Sequence, residues 1–291
     1  MPDFGYAGQI LKVDLTSGKA EKTDSKPYTD KYIGGHGVAA RLYREMVPAG
    51  AKYDSPENAF IAASGPAAGF AGFAGSRWKL VSKTNLNVPE SFNYCNLGER
   101  WGTYLKWAGY DALAVRGKAD KPAWLYIHDG KIEIRDAAHL KGKSTYETAD
   151  IIKQECGDGV AVMAIGAAGE NLVPFSTVMA EGASGSGGMG AAMGSKNLKA
   201  IAVAGNRKPA AAHPDKLKEL SEIIRINKPK MDMPSFWGVP GVSYNRGCWG
   251  CGIGCSREMY PADGRQYKAL CQATMVYEKF NPIPRRGVDD L

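Results

Sequence analysis

Apolar and polar positions alternate in short runs through the first 208 residues, a pattern typical of β-strands. Gly, Asn, Asp and Pro interrupt many of these runs, and such residues favour turns because of their backbone geometry. A β-rich N-terminal domain is therefore expected. The pattern predicts strands over residues 8–15, 59–63, 78–83, 112–117, 123–127 and 131–134.

Apolar residues spaced three and four apart predict helices between these strands and again after them. The clearest case is the segment 216–227, which follows a linker rich in Ala and Pro. This change predicts a boundary near residue 209, between an N-terminal β domain over 1–208 and the beginning of a helical domain over 209–291. Further helices are predicted over residues 35–47, 103–108 and 145–156.

One apolar strand and its flanks occur twice in the sequence. Residues 111–118 read Asp-Ala-Leu-Ala-Val-Arg-Gly-Lys, and residues 199–206 read Lys-Ala-Ile-Ala-Val-Ala-Gly-Asn. A Lys-Pro pair follows each copy, at 121–122 and at 208–209. Chance similarity between Ala-rich strands is one explanation, and internal duplication is the other. The predicted fold class is α+β, with a pseudo-duplicated β-rich N-terminal domain followed by the start of a helical domain.

The composition is that of a soluble globular chain, with 44% hydrophobic and 23% charged residues. No run approaches the roughly 20 apolar residues that a membrane helix needs. The first residues lack both the basic and the hydrophobic part of a signal peptide. We therefore expect a cytoplasmic protein without a membrane span.

The net charge of +7 either serves solubility or attracts an anion, such as nucleic acid or a phosphate-bearing cofactor. Nucleic acid is disfavoured because the basic residues are spread along the chain, without a run of five or six. A basic nucleic-acid-binding protein with a structural zinc stays as a remote alternative. No nucleic-acid partner is expected.

Three of the six cysteines lie close together, at Cys248, Cys251 and Cys255. Their C-x2-C-x3-C spacing, with small residues between them, suits an iron–sulfur cluster whose sulfurs accept backbone hydrogen bonds. Zinc is the alternative, but it usually takes a second cysteine or histidine pair, and no histidine follows His213. A [4Fe-4S] cluster normally has four ligands, and Cys271 is the only other cysteine nearby.

A glycine-rich segment over residues 182–199 is the second candidate site. Glycines permit positive φ and close backbone approach, so the segment is either a nest of amide donors for phosphate or a plain flexible loop. A third candidate surrounds Arg77, Asn93 and Asn96. The Arg guanidinium suits phosphate and the Asn carbonyl suits Mg²⁺, although surface packing explains such residues equally well.

Several short segments, in their order along the chain, are similar to the tungsten-dependent aldehyde:ferredoxin oxidoreductase family. That family also includes the catalytic subunits of some benzoyl-CoA reductases. The segments that carry the resemblance are residues 34–37, 55–58, 65–66, 76–77, 106–111, 169–171, 193–200 and the cysteine trio.

The resemblance implies a pseudo-symmetric β domain beneath a tungsten (or molybdenum) bis-pyranopterin whose phosphates are bridged by Mg²⁺. It also implies a [4Fe-4S] cluster that passes electrons to ferredoxin or to an electron-transfer subunit. The expected reaction is oxidation of a small aldehyde, or another carbonyl compound, to a carboxylic acid in anaerobic metabolism. A homo- or hetero-oligomer is compatible with these expectations.

Residue by residue, the resemblance assigns Arg77 to a pterin phosphate and Asn96 to the bridging Mg²⁺, with Asn93 as the alternative. It assigns Cys248, Cys251 and Cys255 to the cluster. It places a loop of Gly187, Gly188 and Gly190 against the pterin and implies that Glu278 is a catalytic carboxylate that carries a proton. Glu278 would otherwise be a solvated helix residue.

The sequence also departs from the family pattern. His36 and Ser186 stand where the family often has Arg, and Gly252 replaces a common Pro. Residues 287–291 match the middle of the family, so we expect an N-terminal fragment that is inactive alone. The alternative functions are a non-catalytic pterin or iron–sulfur module, or an acyl-CoA reductase-type subunit of the same family.

Overall fold

The computed structural model describes residues 4–227, 243–252, 256–259 and 267–269. By its internal contacts the chain forms two compact units. The first consists of Met1–Phe70 and Gly75–Pro214, and the second of Ala71–Ala74 and Asp215–Leu291.

The first unit contains two six-stranded sheets. One sheet consists of β1 (Gln9–Asp14), β2 (Lys19–Asp24), β3 (Phe60–Ser64), β4 (Trp78–Thr84), β5 (Ser91–Leu97) and β6 (Ala112–Arg116). The other consists of β7 (Ala123–His128), β8 (Lys131–Asp136), β9 (Ala161–Ile165), β10 (Val178–Ala180), β11 (Ala183–Gly185) and β12 (Leu198–Val203). The helices of this unit are α1 (Lys26–Tyr32), α2 (Gly35–Met46), α3 (Trp101–Trp107), α4 (Thr145–Cys156), α5 (Ala167–Glu170) and α6 (Met189–Gly194).

The two sheets have the same topology. The strand order is β2-β1-β6-β3-β4-β5 in the first and β8-β7-β12-β9-β10-β11 in the second. In each sheet the strand that follows the helical connection pairs antiparallel with both of its neighbours, β3 with β4 and β6, and β9 with β10 and β12. One parallel pair joins the first and last strands of each sheet, β1 with β6 and β7 with β12. The duplication that the repeated strand predicts is therefore confirmed, together with the α+β class.

The correspondence extends to single residues around α3 and α6. The helices begin at Trp101 and Met189, which hold equivalent positions in the two halves. A left-handed residue precedes each helix, Glu99 with φ 58° and Gly187 with φ 77°. The two halves thus share a left-handed residue two positions before the helix as well as their strand order, although the next residue differs, Arg100 with φ −92° and Gly188 with φ 78°.

The main core lies between the two sheets, and α2 and α4 cover their outer faces. Alternate residues of each strand point to opposite faces, so the inner positions fill the shared core and the outer positions meet a helix. Trp78 and Trp101 contact each other within the core, with ring centroids 4.5 Å apart. The apolar face of α2 packs Val38 and Leu42 on the first sheet.

Local sequence signals explain where several elements begin. Ser144 and Glu147 form a capping box at the start of α4, because each side chain bonds the backbone N–H of the other residue. The predicted helix over 145–156 therefore coincides with α4.

Several elements differ from the sequence-based expectations. The segment predicted as a glycine-rich loop contains β11, the buried helix α6 and the start of β12. No strand was predicted over β5, because Ser91 and Asn93 interrupt the apolar positions on its inner side while Phe92 and Tyr94 are exposed. The helix α1 was also not predicted, because it is short and has few apolar residues.

The second unit contains α7 (Pro214–Asn227), which confirms the predicted helix over 216–227, and a small antiparallel sheet. The strands of that sheet are β13 (Ser243–Arg246), β14 (Ser256–Met259) and β15 (Tyr267–Ala269). In the described parts of both units, no helix has the length and apolar character needed to cross a bilayer.

A buried lysine joins the two halves of the first unit. Lys196 follows α6, and its Nζ donates to the backbone oxygen of Asn58 at 2.5 Å. Burial lowers the pKa of this amine to about 8. The protonated form is therefore disfavoured in the folded state.

We expect the stability difference between the Lys196→Met variant and the unsubstituted chain to depend on pH. A group whose pKa falls on folding costs stability while it is protonated, and this cost disappears as pH rises from about 8 past its unfolded value. Relative to Lys196→Met, the unsubstituted chain should gain about 2 kcal/mol between pH 7 and pH 10. Urea unfolding of both proteins at the two pH values measures this gain, and a constant difference would contradict it.

Candidate functional site

The exposed residues of β5 define one surface of the site. Along this edge strand, Phe92, Tyr94 and Asn96 point outward, whereas Cys95 and Leu97 are buried in the core. Burial raises the pKa of the Cys95 thiol to about 12. Cys95 is therefore a core residue, and the chemistry of this strand lies on its outer face.

This alternation separates the two asparagines that were considered for Mg²⁺. Asn96 is on the exposed face of the sheet, whereas Asn93 shares the inner side with Cys95. The Asn93 Nδ2 donates to Thr84 Oγ1 at 2.8 Å and to the Ser91 backbone oxygen at 3.2 Å. Asn93 and Asn96 therefore belong to different environments.

Arg77 lies next to Asn96. Its Nη1 donates to the Asn96 backbone oxygen at 3.3 Å. With the Asn96 amide turned so that its oxygen faces the guanidinium, Oδ1 also accepts from Nη1 at 3.1 Å, and Nδ2 donates to the Trp78 oxygen at 3.3 Å. The two side chains thus form one exposed polar group at the start of β4, as the sequence-based prediction requires.

Lys79 extends this group along β4, and sequence reasoning did not single it out. Lys79 pairs directly with Asn96 across the two strands, and its Nζ lies 5.4 Å from the centre of the Tyr94 ring. The Tyr94 ring in turn contacts His36 of α2, with centroids 4.6 Å apart. Among the described residues, no carboxylate lies within ion-pair distance of Arg77 or Lys79.

The glycine-rich segment meets the inner side of the same strand. A Cβ at Gly187 would lie 3.5 Å from the backbone oxygen of Tyr94 and 3.9 Å from the Asn93 Cβ. At Gly188, which has φ 78°, a Cβ would lie 2.6 Å from the Pro174 oxygen. Gly190 is buried in the first turn of α6. The structure therefore brings Gly187 to β5 and uses Gly188 and Gly190 for close packing.

The first two cysteines of the trio lie in a tight turn. The Cys251 N–H donates to the Cys248 oxygen at 2.9 Å, and Gly250 between them has φ 66°. Such a turn favours glycine at its left-handed position and brings the Cα atoms of its two end residues to within about 7 Å. The described residues include no cluster of three or more acidic, His or Cys ligands for a metal. Cys255, Cys271 and Glu278 lie outside the described residues.

Other motif residues form buried ion pairs. Lys106 Nζ lies 3.3 Å from Asp111 Oδ1 and donates to the backbone oxygens of Gly5 and Gly65, both at 2.7 Å. Lys199 pairs with Glu170 near the equivalent position of the second half. Both ion pairs are structural contacts, so folding stability accounts for these motif residues without a catalytic role.

The comparisons with known proteins agree with this architecture. Residues 10–205 match the family model described as aldehyde ferredoxin oxidoreductase, N-terminal domain. The chain is also 43% identical, over 244 residues, to a tungsten-containing aldehyde ferredoxin oxidoreductase of Pyrococcus abyssi. The chain belongs to the aldehyde ferredoxin oxidoreductase family. The match with the Pyrococcus abyssi protein covers 81% of this chain and 39% of the relative. The chain thus spans about two fifths of the length of such curated relatives.

Other members of the aldehyde ferredoxin oxidoreductase family differ in their named reactions. An aliphatic sulfonate oxidoreductase, WOR-like subunit, of Pyrococcus furiosus is 35% identical and covers 84% of this chain and 42% of its own length. Among solved structures, the active site complex BamBC of benzoyl coenzyme A reductase superposes with a TM-score of 0.82 at 28% identity. That match covers 92% of this chain and 49% of the other. Membership in the family therefore does not by itself identify a substrate.

The donor groups of the first unit fit a phosphate-bearing cofactor. Arg77 offers an exposed guanidinium and Lys79 a half-buried ammonium, and Gly187 lies against the backbone of β5. Asn96 adds an amide oxygen, which is a suitable ligand for Mg²⁺. The Cys248–Cys251 turn fits two thiolate ligands of an iron–sulfur cluster.

Proposed function

We propose that this chain supplies the pterin-holding base of a tungsten or molybdenum oxidoreductase. The enzyme would oxidise an aldehyde to a carboxylic acid and pass electrons through a [4Fe-4S] cluster to ferredoxin or to a partner subunit. Supporting this proposal are the tungsten-containing relatives and the polar group of Arg77 and Asn96 on the exposed edge of β4 and β5. We further propose that the chain divides functionally near residue 209 and that the protein acts in the cytoplasm.

The duplicated fold supplies the geometric argument. A cofactor with two chemically equal pterins offers two equal sets of phosphate oxygens. The first unit offers two equivalent strand pairs, β4 with β5 and β10 with β11. A Cβ at Gly185 of β11 would lie 2.9 Å from Cys95 Sγ of β5, so the edges of the two sheets meet. This junction is the place where both halves reach one ligand.

In this proposal the chain's own residues bind and orient. The Arg77 guanidinium, held beside the Asn96 oxygens, would donate to a phosphate, and Asn96 would hold Mg²⁺. Asn93 is the alternative Mg²⁺ ligand. The segment of Gly187, Gly188 and Gly190 would lie against the pterin, with Gly187 next to β5 and with Gly188 and Gly190 packed behind it. The bound metal centre would supply the two-electron chemistry of the reaction.

The remaining assignments concern the second unit. Cys248, Cys251 and Cys255 hold the cluster, and Cys271 is the candidate for a fourth ligand. Glu278 takes up the proton that leaves as an aldehyde hydrate is oxidised. An isolated 291-residue chain would lack activity, because the curated relatives are more than twice as long.

A second candidate function is an acyl-CoA reductase-type subunit. The similarity to the active site complex of benzoyl coenzyme A reductase favours it, because that match covers most of this chain. A non-catalytic pterin or iron–sulfur module is a further alternative. Assays of the anaerobically isolated protein with an aldehyde and with an aromatic acyl-CoA, using the same redox dye, distinguish the two enzymes.

The Arg77→Ala variant tests the phosphate assignment. Removing one charge-assisted hydrogen bond should lower cofactor affinity about ten- to hundredfold, because such a bond contributes about 1.5–3 kcal/mol. The pterin content and the tungsten or molybdenum content should fall together, whereas the iron–sulfur absorption should stay. Arg44→Ala, which removes an exposed arginine from the last turn of α2, is the matched control. Equal pterin retention in both variants would show that Arg77 is only a surface residue.

A further inference from the structure

The outer faces of the two equivalent strand pairs match position by position. Lys79 pairs with Ala63 of β3 and with Asn96 of β5. In the second half, Met179 pairs with Ala164 of β9 and with Ser184 of β11. Since Ala63 and Ala164 hold equivalent positions beside the last strand of each sheet, Met179 is the counterpart of Lys79.

Burial follows the same correspondence. Lys79 and Met179 are both half-buried, whereas Asn96 and Ser184 are both exposed. Two residues before each central position, Arg77 and Thr177 are both exposed. The two outer faces therefore have the same shape at the level of the backbone, and they differ in chemistry.

Charge distinguishes the two faces. The first face has the Arg77 guanidinium and the Lys79 ammonium, and the Asn96 oxygens lie between them. The second face has a hydroxyl, a thioether and another hydroxyl at the matching positions. No Lys or Arg occurs anywhere between Glu170 and Lys196. Glu181, the acidic residue of this stretch, is bound by Arg100 at 2.8 Å and by Lys153 at 3.1 Å.

The other cations near the first face are already engaged. Lys83 of β4 donates its Nζ to the Ala51 oxygen at 2.6 Å, and Arg100 binds Glu181. Lys79 and Arg77 are thus the cations of this strand pair that remain available to an external anion. The Lys79 ammonium also lies near the Tyr94 ring, whose negative face holds the amine over the strand.

We propose that the chain binds phosphate monoesters unequally, through Lys79 together with Arg77 on the first face and through backbone amides and hydroxyls alone on the second. This inference rests on the proposed pterin function and names an anchor, Lys79, that neither the motifs nor the comparisons indicate. In a cofactor with two phosphates, the phosphate on the first face is held more tightly. The second phosphate depends on the hydroxyls of Thr177 and Ser184 and on the backbone beside them.

Amide NMR titration of the 291-residue chain with inorganic phosphate tests this proposal. The amide signals of residues 94–96 report the first face, and those of residues 184–187 report the second. We expect the first set to saturate at a phosphate concentration at least fivefold lower than the second. Lys79→Ala should weaken binding at the first face about fivefold and leave the second face unchanged.

Two further variants sharpen the test. Met179→Lys places the missing ammonium on the second face and should strengthen binding there about fivefold. Lys12→Ala removes the same charge from the outer face of β1, three strands away from β4 in the same sheet. It should change neither set of signals. If Lys12→Ala weakens phosphate binding at the first face as much as Lys79→Ala does, the effect comes from net charge alone and the proposal is overturned.

The possible failures are distinguishable. Equal phosphate affinities at both faces, or an unchanged affinity of the first face in Lys79→Ala, would overturn the unequal anchoring. The proposed pterin function would stand in that case, provided that the natural protein contains pterin. Absence of a phosphate response at both faces would contradict the anchoring as well. Absence of pterin from the natural protein would contradict the proposed function itself.

Discussion

The Lys106→Met variant is expected to lose about 3–5 kcal/mol of unfolding free energy, because it leaves a buried carboxylate without its cation. The side chains of Lys106 and Asp111 are 0% and 2% exposed, and their charged atoms lie 3.3 Å apart. Burial lowers the pKa of Lys106, and the Asp111 carboxylate opposes that change. Removing the ammonium therefore leaves a desolvated anion that keeps its hydrogen bonds but has lost its counter-charge in this contact.

The backbone contacts of Lys106 add to this loss. Its Nζ donates to the backbone oxygens of Gly5 and Gly65. In the methionine variant the Gly5 oxygen loses this bond, whereas the Gly65 oxygen still accepts from the Ala68 N–H at 3.1 Å. Asp111 meanwhile keeps its bonds from the Ala7 and Gly8 amides, at 3.0 and 2.9 Å. Urea unfolding at pH 7 measures the change. Lys118→Met removes an exposed lysine just after β6 and serves as the control. It should change stability by less than about 0.5 kcal/mol. A loss below about 1 kcal/mol in Lys106→Met would contradict the account of this ion pair.

Replacing Cys248, Cys251 and Cys255 together by serine should abolish the iron–sulfur cluster. After anaerobic reconstitution with iron and sulfide, the unsubstituted chain should show a broad charge-transfer absorption, and the triple variant should show none. The reason is that thiolates are the ligands of such clusters, and the Cys248–Cys251 turn already brings two cysteines close together in the chain.

Single cysteine variants provide the controls. Cys156→Ser changes a half-buried thiol at the end of α4 and should keep the absorption. Cys271→Ser should weaken the absorption if that residue is the fourth ligand. An undiminished band in the triple variant would place the cluster on other residues and remove the iron–sulfur assignment.

Most of the fold follows from sequence patterns that have a direct structural cause. The strands with continuous apolar runs, such as β3 and β6, are central and buried on both faces, so their pattern is strong. The repeated segment at β6 and β12 predicted the duplication for the same reason. The edge strands β5 and β11 were not predicted, because aromatic residues occupy exposed positions of β5 and because β11 is only three residues long and ends in a buried glycine.

The site was predictable only in part. The contact of Arg77 with Asn96 follows from their places on adjacent strands, once β5 is recognised as a strand. The same recognition would have separated Asn96 from Asn93, since residues three apart in a strand lie on opposite faces. Lys79 carries no motif, and only the register of β4 with β5 reveals its place. The ion pair of Lys106 and Asp111 spans five residues around a turn, a spacing that no helix rule predicts.

Elemental and pterin analysis of the protein isolated anaerobically from its natural source tests the central claim most directly. If this chain is the pterin-holding base of a tungsten or molybdenum oxidoreductase, the preparation should contain tungsten or molybdenum, iron and sulfide. Oxidative denaturation should release fluorescent pterin in proportion to the tungsten or molybdenum. Iron without pterin, or zinc as the only metal, would contradict the claim and assign the chain to a non-catalytic or structural role.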